Sequence, residues 1–267
     1  VRPVLYDLFG IPISAFGVFL LIAFFVGITR ARQAAQTQLG LDPNQTLDLS
    51  LYAIIAGIIG GRAGYIFANA GQFIVDPSKM LTIWRDGGLV FYGALIAALF
   101  LARAFARRWN VSFGALLDAY APGLVIGYGI AMIGALLHGL FAGRPTGVPW
   151  GVQMFLERRH PTQIYLMIAA FAILATLRAQ RRQLLAPGTL FVLSIMLLAI
   201  ARFVADFFIE APLVAGPLTA GQVASAVVAI ASAVILFRLQ GAAPSEEPVE
   251  RLSDGPTDTE SPVEVST

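Results

Sequence analysis

The sequence contains no cysteine. That absence excludes disulfides, thiolate metal sites and a cysteine nucleophile, so any thiol chemistry must draw its sulfur from a partner. Charge is scarce as well: Asp, Glu, Lys and Arg make up 13% of 267 residues, too little to clothe a soluble domain whose composition is 57% apolar. Two histidines and no acidic cluster beside them give no basis for a metal site, and neither a metal nor a cofactor is expected. Collagen-like, disordered and nucleic-acid-binding classes are excluded on the same grounds. What fills the chain is a series of apolar runs, with a mean hydropathy of +0.76. Each run is about 20 residues long, the length a helix needs to cross roughly 30 Å of hydrocarbon.

The runs predict an all-α, polytopic integral membrane protein with seven transmembrane helices over residues 11–29, 48–70, 88–106, 113–142, 162–178, 188–208 and 217–238. No basic region of consequence precedes the first run and no clear small-residue cleavage site follows it, so it is expected to stay in the protein. Arg30, Arg32, Arg103, Arg107, Arg108, Arg178, Arg181, Arg182 and Arg238 fall on one side of these spans, and Arg2, Lys79, Arg85, Arg144, Arg158 and Arg159 on the other. The larger group lies close to span ends, where the positive-inside rule acts, which predicts an N-terminus outside and a cytoplasmic C-terminus. Residues 1–240 read as one transmembrane unit. Residues 241–267 hold seven acids against Arg251, are rich in Pro, Ser and Thr, and read as a disordered acidic tail.

Two arginines stand inside apolar runs, Arg62 in the second span and Arg202 in the sixth. An arginine deep in the membrane is costly and is expected to face the bundle interior or a wet cavity and to meet an anion. Counted from the predicted cytoplasmic ends, both lie 14 residues up, about 21 Å by helix rise, and so at similar height. Asp206 follows Arg202 by four residues, the spacing of an intrahelical ion pair. Arg62 has no acid within four residues, which leaves its counter-ion to another helix or to a lipid phosphate. Gly57, Gly60, Gly61 and Gly64 set two small-residue registers around Arg62, ordinary for close helix packing and also suited to a bulky ligand. The fourth span, long and containing Pro122, is expected to tilt or break there. The outward loops collect Trp84 to Gly93, Gly139 to Trp150 and Arg159 to Tyr165. Trp84 and Trp150 read as interfacial anchors, Tyr165 as an anchor or a functional residue, His160 as a loop histidine or a functional residue, and His138 as a packed helix residue or a ligand.

Taken together, Gly60–Tyr65, Ile83–Gly93, Asp118–Pro122, Gly143-Arg144-Pro145-Thr146 before Pro149-Trp150, His160–Tyr165, Arg202-Phe203 with Asp206-Phe207, and Leu218-Thr219 with Gly221-Gln222 resemble the prolipoprotein diacylglyceryl transferases of bacterial inner membranes. The resemblance covers the chain apart from its tail. It implies a multi-pass protein of the inner (cytoplasmic) membrane that transfers the diacylglyceryl group of phosphatidylglycerol to the lipobox cysteine of a prolipoprotein signal peptide, forming a thioether and releasing glycerol phosphate. On that reading Arg62, Arg202, Asp206, Gly143 and Arg144 bind the substrate, and Arg202, Tyr92 and His160 are the candidate catalytic groups. Arginine suits the phosphate because its planar fork binds the anion more tightly as charge builds on it.

The chain departs from the family pattern at several positions. Tyr92 stands where the family has a histidine, Met132 and Ala135 where it has an arginine and an asparagine around a glycine, and Leu140 where it has a glutamate. Phe16 replaces an aromatic hydroxyl, Ile209 an arginine, and Asp206 a glutamate. Losing a phosphate partner or a base costs factors of about 10² or more in rate. The competing reading is therefore a catalytically impaired relative that binds lipid or scaffolds a membrane assembly. A transporter would carry internal repeats, and none is clear between the halves.

Overall fold

The computed structural model describes residues 4–8, 11–76, 78, 91–154, 156–180 and 186–241. All seven predicted spans are helices: α1 (Ala15–Leu39), α2 (Pro43–Ala68), α4 (Phe91–Arg108), α5 (Phe113–His138), α6 (Thr162–Gln180), α7 (Thr189–Asp206) and α8 (Ala220–Gly241), with a short α3 (Ala70–Val75) after α2. Six of them are long and apolar enough to cross a membrane. The exception is α4, whose 18 residues carry Arg103, Arg107 and Arg108. Three two-stranded antiparallel hairpins complete the described residues: β1 (Val4–Leu8) with β2 (Ile11–Ser14), β3 (Val152–Met154) with β4 (Glu157–Arg159), and β5 (Leu213–Ala215) with β6 (Leu218–Thr219). The hairpins were not expected from hydropathy.

Local chemistry sets the helix limits. Gly17 N donates to Ser14 Oγ at the start of α1, and Gly40 closes it with φ 65°. Asp42 caps α2 with Pro43 in the first turn, and Gln45 returns a side-chain bond to the Asp42 backbone. This capping box starts α2 five residues before the predicted 48. Ser112 and Gly139 bound α5, which ends at His138 rather than 142 and runs through Pro122 without a break.

Close backbone approach holds the helices together. A Cβ at Gly27 or Gly123 would fall on the other's carbonyl oxygen, and Gly134 abuts Phe16 and Phe19, so α1 and α5 run antiparallel in contact. Gly60 and Gly93 stand in the same relation between α2 and α4, with Gly64 beside them. The small-residue register of the second span thus serves packing. The hairpins share one end of the bundle. Phe16 and His138 join the start of α1 to the end of α5, Gly143 bridges Ile209 beyond α7, and Gly221 of α8 meets Asp206 of α7. At the opposite end, Ala34, Ala35, Leu41, Leu49, Ala106, Leu116 and Ala119 form a core, and Tyr120 donates its hydroxyl to Thr46 O at 2.9 Å. The last turns of α4, α6 and α8 at that end carry Arg107, Arg108, Arg178 and Arg238.

The longer α2 changes the height comparison. Measured from the hairpin end, Arg62 lies six residues before Ala68 and Arg202 four before Asp206, about 9 and 6 Å by helix rise. Both arginines lie toward the hairpin ends of their helices.

Candidate functional site

The hairpin ends of α5 to α8 converge on Arg202. The i,i+4 spacing brings its Nε to 2.8 Å from Asp206 Oδ1, in a pair whose carboxylate is almost wholly buried while Arg202 keeps 29% of its side chain accessible. The guanidinium lies 4.8 Å from the centre of the Phe141 ring, a cation–π contact of about 0.5–2 kcal/mol. Tyr128, from the middle of α5, packs on the apolar cluster that Ala201, next to Arg202, also packs against. On its far side the Asp206 carboxylate packs on the first turn of α8, where a Cβ at Gly221 would strike Oδ2. Thr219 and Gln222 cap that turn reciprocally, at 3.0 and 3.2 Å.

Phe141 has φ 56°, a left-handed conformation that costs a bulky residue about 1–2 kcal/mol. The start of α6 holds it there. Thr162 Oγ1 donates to the Phe141 carbonyl and Gln163 Nε2 to the Leu140 carbonyl. The strain turns the ring toward Arg202.

Beyond Phe141 the chain becomes the middle strand of a small backbone lattice. Gly143 N donates to His160 O, His160 N to Arg144 O, and Arg144 N to Phe208 O at 2.7 Å. Arg144 Nε donates to Ile209 O at 3.1 Å. Arg159 binds Gly143 O and pairs with Glu157 and Glu210. Gly143 leaves no space for a side chain, because a Cβ would meet His160. His160 Nδ1 lies 3.1 Å from Tyr165 Oη, and Tyr165 Oη accepts from Trp150 Nε1 at 2.9 Å. Trp150, His160, Tyr165 and Phe208, with Ala169, Ala201, Val204 and Ala205, line a cavity of about 490 Å³ between α6 and α7. Its wall is apolar except at these rings, which suits a hydrocarbon ligand with polar groups at one edge.

Five of the seven expected site residues, Arg202, Asp206, Gly143, Arg144 and His160, therefore meet in one corner. Arg62 stands on α2. It is 7% exposed and lies 5.5 Å from the Tyr65 and Phe73 ring centres, the latter carried by α3. Its helix packs chiefly on α4 and α1, whereas α7 packs on α8, α6 and α5. Tyr92 is the second residue of α4, beside Gly93; its side chain lies outside the described residues, as do Trp84 and the rest of the segment up to Val90. Trp150, read as an anchor, and Tyr165 form the polar edge of the cavity. Phe141 was missed, because nothing local marks it as an arginine partner. The replaced positions Phe16, Met132, Ala135 and Leu140 also have a common location: they pack with Leu166 and Ala205 in one apolar cluster.

Residues 3–238 match the family described as prolipoprotein diacylglyceryl transferase. A phosphatidylglycerol–prolipoprotein diacylglyceryl transferase of Aeromonas hydrophila subsp. hydrophila is 34% identical over 170 residues, covering 62% of this chain and 62% of that protein. Proteins of the same name from Geobacter sulfurreducens and Francisella tularensis subsp. holarctica are 30% and 31% identical, covering 79% and 78% of this chain and 83% and 80% of theirs. The match thus spans less than two thirds of the Aeromonas protein and about four fifths of the other two. With a match running from the first hairpin to the end of α8, and the motif residues of α5 to α8 meeting in one corner, the chain belongs to the prolipoprotein diacylglyceryl transferase family.

Proposed function

We propose that this protein transfers the diacylglyceryl group of phosphatidylglycerol to the lipobox cysteine of a prolipoprotein. The cysteine sulfur forms a bond to the terminal glycerol carbon of the diacylglyceryl group. The bond from that carbon to the phosphate oxygen breaks, its electron pair leaves with glycerol phosphate, and the thiol proton passes to a base. The phosphodiester begins with one negative charge and the departing phosphate approaches two, so a fixed guanidinium binds the transition state more tightly than the ground state.

The observation that carries this reading is the Arg202–Asp206 pair on the helix whose Ala201, Val204 and Ala205 line an apolar cavity edged by His160, Tyr165 and Trp150. Arg202 takes the phosphate, with Arg144 at the edge of the same corner, and Gly143 keeps the backbone close enough for both. Asp206 aims Arg202. His160 accepts the thiol proton, with Tyr92 the alternative acceptor. Arg62, enclosed by Tyr65 and Phe73, serves the α2–α4 side of the headgroup region and takes no part in bond breaking. The catalytic unit spans residues 1–240, and residues 241–267 lie outside it. Seven crossings, an outward N-terminus and a cytoplasmic C-terminus in a bacterial inner membrane put the hairpin end at the outer leaflet. The basic last turns of α4, α6 and α8 support that orientation. The impaired-relative reading is not favoured, because the Arg202–Asp206 pair and the histidine at the cavity edge are both present.

The test incubates the purified full chain with phosphatidylglycerol and a lipobox peptide and reads the thioether product by mass spectrometry. Product from the parent protein, reduced at least 100-fold in Arg202→Ala, is the expected result. Folded protein that binds phosphatidylglycerol and yields no product would overturn the transferase reading.

A further inference from the structure

We propose that the main chain of Gln153 is the docking edge for the peptide substrate: the lipobox segment, in extended form, adds to β3 as a further strand by exchanging hydrogen bonds with the Gln153 N–H and C=O. This rests on the transferase reading above and names how the second substrate is held.

The register of the small sheet fixes which way each main-chain group points. Thr146 N donates to Arg158 O at 2.8 Å, and Gly143 N to His160 O and His160 N to Arg144 O continue the same ladder at 3.2 and 3.1 Å. Arg158 and His160 therefore turn their main-chain groups toward residues 143–146. Successive residues of a strand point these groups to opposite edges, so Glu157 and Arg159 turn theirs to β3, where they stand opposite Met154 and Val152. Gln153 stands opposite Arg158 and is left facing the other way. Its N–H and C=O point out of the sheet and meet no other main chain among the described residues. The Gln153 side chain is exposed, whereas Met154 next to it is buried and holds the strand to the body of the protein.

An unpaired strand edge is a template for an extended chain, and the surroundings of this one select the peptide that the reaction needs. Trp150, directly before β3, donates to Tyr165 Oη, which lies 3.1 Å from His160 Nδ1, so the edge and the candidate proton acceptor share one side of the cavity. Trp150 is 62% exposed and Leu156, near the tip of the hairpin, 94% exposed, which leaves a large apolar side chain uncovered at each end of β3. A signal peptide passes from an apolar segment into small residues. Small residues let a strand approach to the usual spacing of about 4.8 Å, and the apolar ones cover Trp150 and Leu156. The Arg158 guanidinium donates to Pro149 O at 3.1 Å and to Gly151 O at 3.5 Å, bracing the turn that leads into the edge. A dock made of two main-chain bonds reads backbone rather than side chain, so peptides of different sequence can use it and leave after one transfer.

Gln153→Pro tests this on the full chain in nanodiscs, with Gln153→Ala beside it. Proline removes the outward N–H and puts its ring on the open edge, while the bonds to β4 belong to Val152 and Met154 and are kept. Alanine removes the side chain and leaves the edge open. Transfer is measured with KM for a lipobox peptide and KM for phosphatidylglycerol separated. Gln153→Pro is expected to raise the peptide KM about tenfold, with KM for phosphatidylglycerol and the thermal midpoint unchanged, and Gln153→Ala to stay within about twofold of the parent. A series of peptides, each N-methylated at one amide, checks the same contact from the other side on the parent protein. One position is expected to lose about fivefold in affinity while its two neighbours do not. A peptide KM unchanged by Gln153→Pro in folded protein, an equal rise in Gln153→Ala, or N-methylation tolerated at every position overturns the proposal. Should Gln153→Pro fail to fold, the N-methyl series decides alone. Binding of a fluorescent lipobox peptide with serine in place of its cysteine reads the dock without chemistry. An inactive parent whose peptide binding falls in Gln153→Pro but not in Gln153→Ala would sink the transferase reading while sustaining the dock; an active parent whose peptide binding is the same in all three proteins sinks only the dock.

Discussion

Gly221 offers a sharp test of the corner around Arg202, because two physical effects predict opposite outcomes for Gly221→Ala. Gly221 lies in the first turn of α8, and replacing a helical glycine by alanine stabilises by up to about 1 kcal/mol. Against this, the new methyl would fall on Asp206 Oδ2, with Cγ only 3.2 Å away. The obstacle is a short, buried side chain, so relief requires the carboxylate to rotate, and rotation takes Oδ1 away from Arg202 Nε. Breaking a buried pair costs about 3–5 kcal/mol. The partial exposure of Arg202 lowers that to about 2–3 kcal/mol, since water reaches the released guanidinium. The collision wins by about 1–2 kcal/mol, which is a loss of roughly 5- to 30-fold in kcat/KM if the pair aims the phosphate-binding cation. The assay is transfer to a lipobox peptide with a thermal melt alongside. Gly71→Ala in α3, where a methyl meets nothing within 4 Å, serves as the control and is expected to retain activity. An alanine at 221 with full activity and a raised melting temperature would refute the packing of Asp206 against α8.

Gly60→Ala is expected to part α2 from α4, because its methyl would sit 2.5 Å from the Gly93 carbonyl oxygen; a fall in stability of about 1–3 kcal/mol, read by thermal unfolding in detergent, checks it. Asp118→Ala removes the acceptor for two backbone N–H groups at the start of α7 and is expected to cost about 1–2 kcal/mol, again by thermal unfolding, whereas Asp118→Asn retains one acceptor oxygen and costs less. Tyr165→Phe leaves Trp150 Nε1 and His160 Nδ1 without their shared partner; transfer activity is expected to fall several-fold with the fold intact by circular dichroism.

The helices were legible because hydropathy marks apolar runs, and all seven lie where those runs do, six of them long and apolar enough to cross a membrane. Their limits were less so. Helix α1 continues ten residues past 29 because Ala31, Ala34 and Ala35 stay buried between polar neighbours, a pattern that mean hydropathy averages away. The earlier start of α2 was readable from Asp42-Pro43-Asn44-Gln45, which is a capping box in sequence. Hairpins of two to five residues per strand carry too little alternation to stand out. At the site, Arg202 with Asp206 followed from spacing on one helix, and Tyr65, three residues after Arg62, was equally local. Phe73 over Arg62 and Phe141 over Arg202 come from other elements. Phe141 depends in addition on a backbone conformation imposed by Thr162, 21 residues on. Such contacts are products of the assembled fold, and no window of sequence contains them.

The backbone lattice through Gly143, Arg144, His160 and Ile209 has a mechanical consequence. Two connections, α5 to α6 and α7 to α8, are stitched into one plate, so a peptide that pushes on either of them displaces His160 and Arg144 by the same amount. Docking of a chain at the rim would be felt as a rigid shift of the whole plate over the cavity, and His160 would keep its distance from Arg144 throughout.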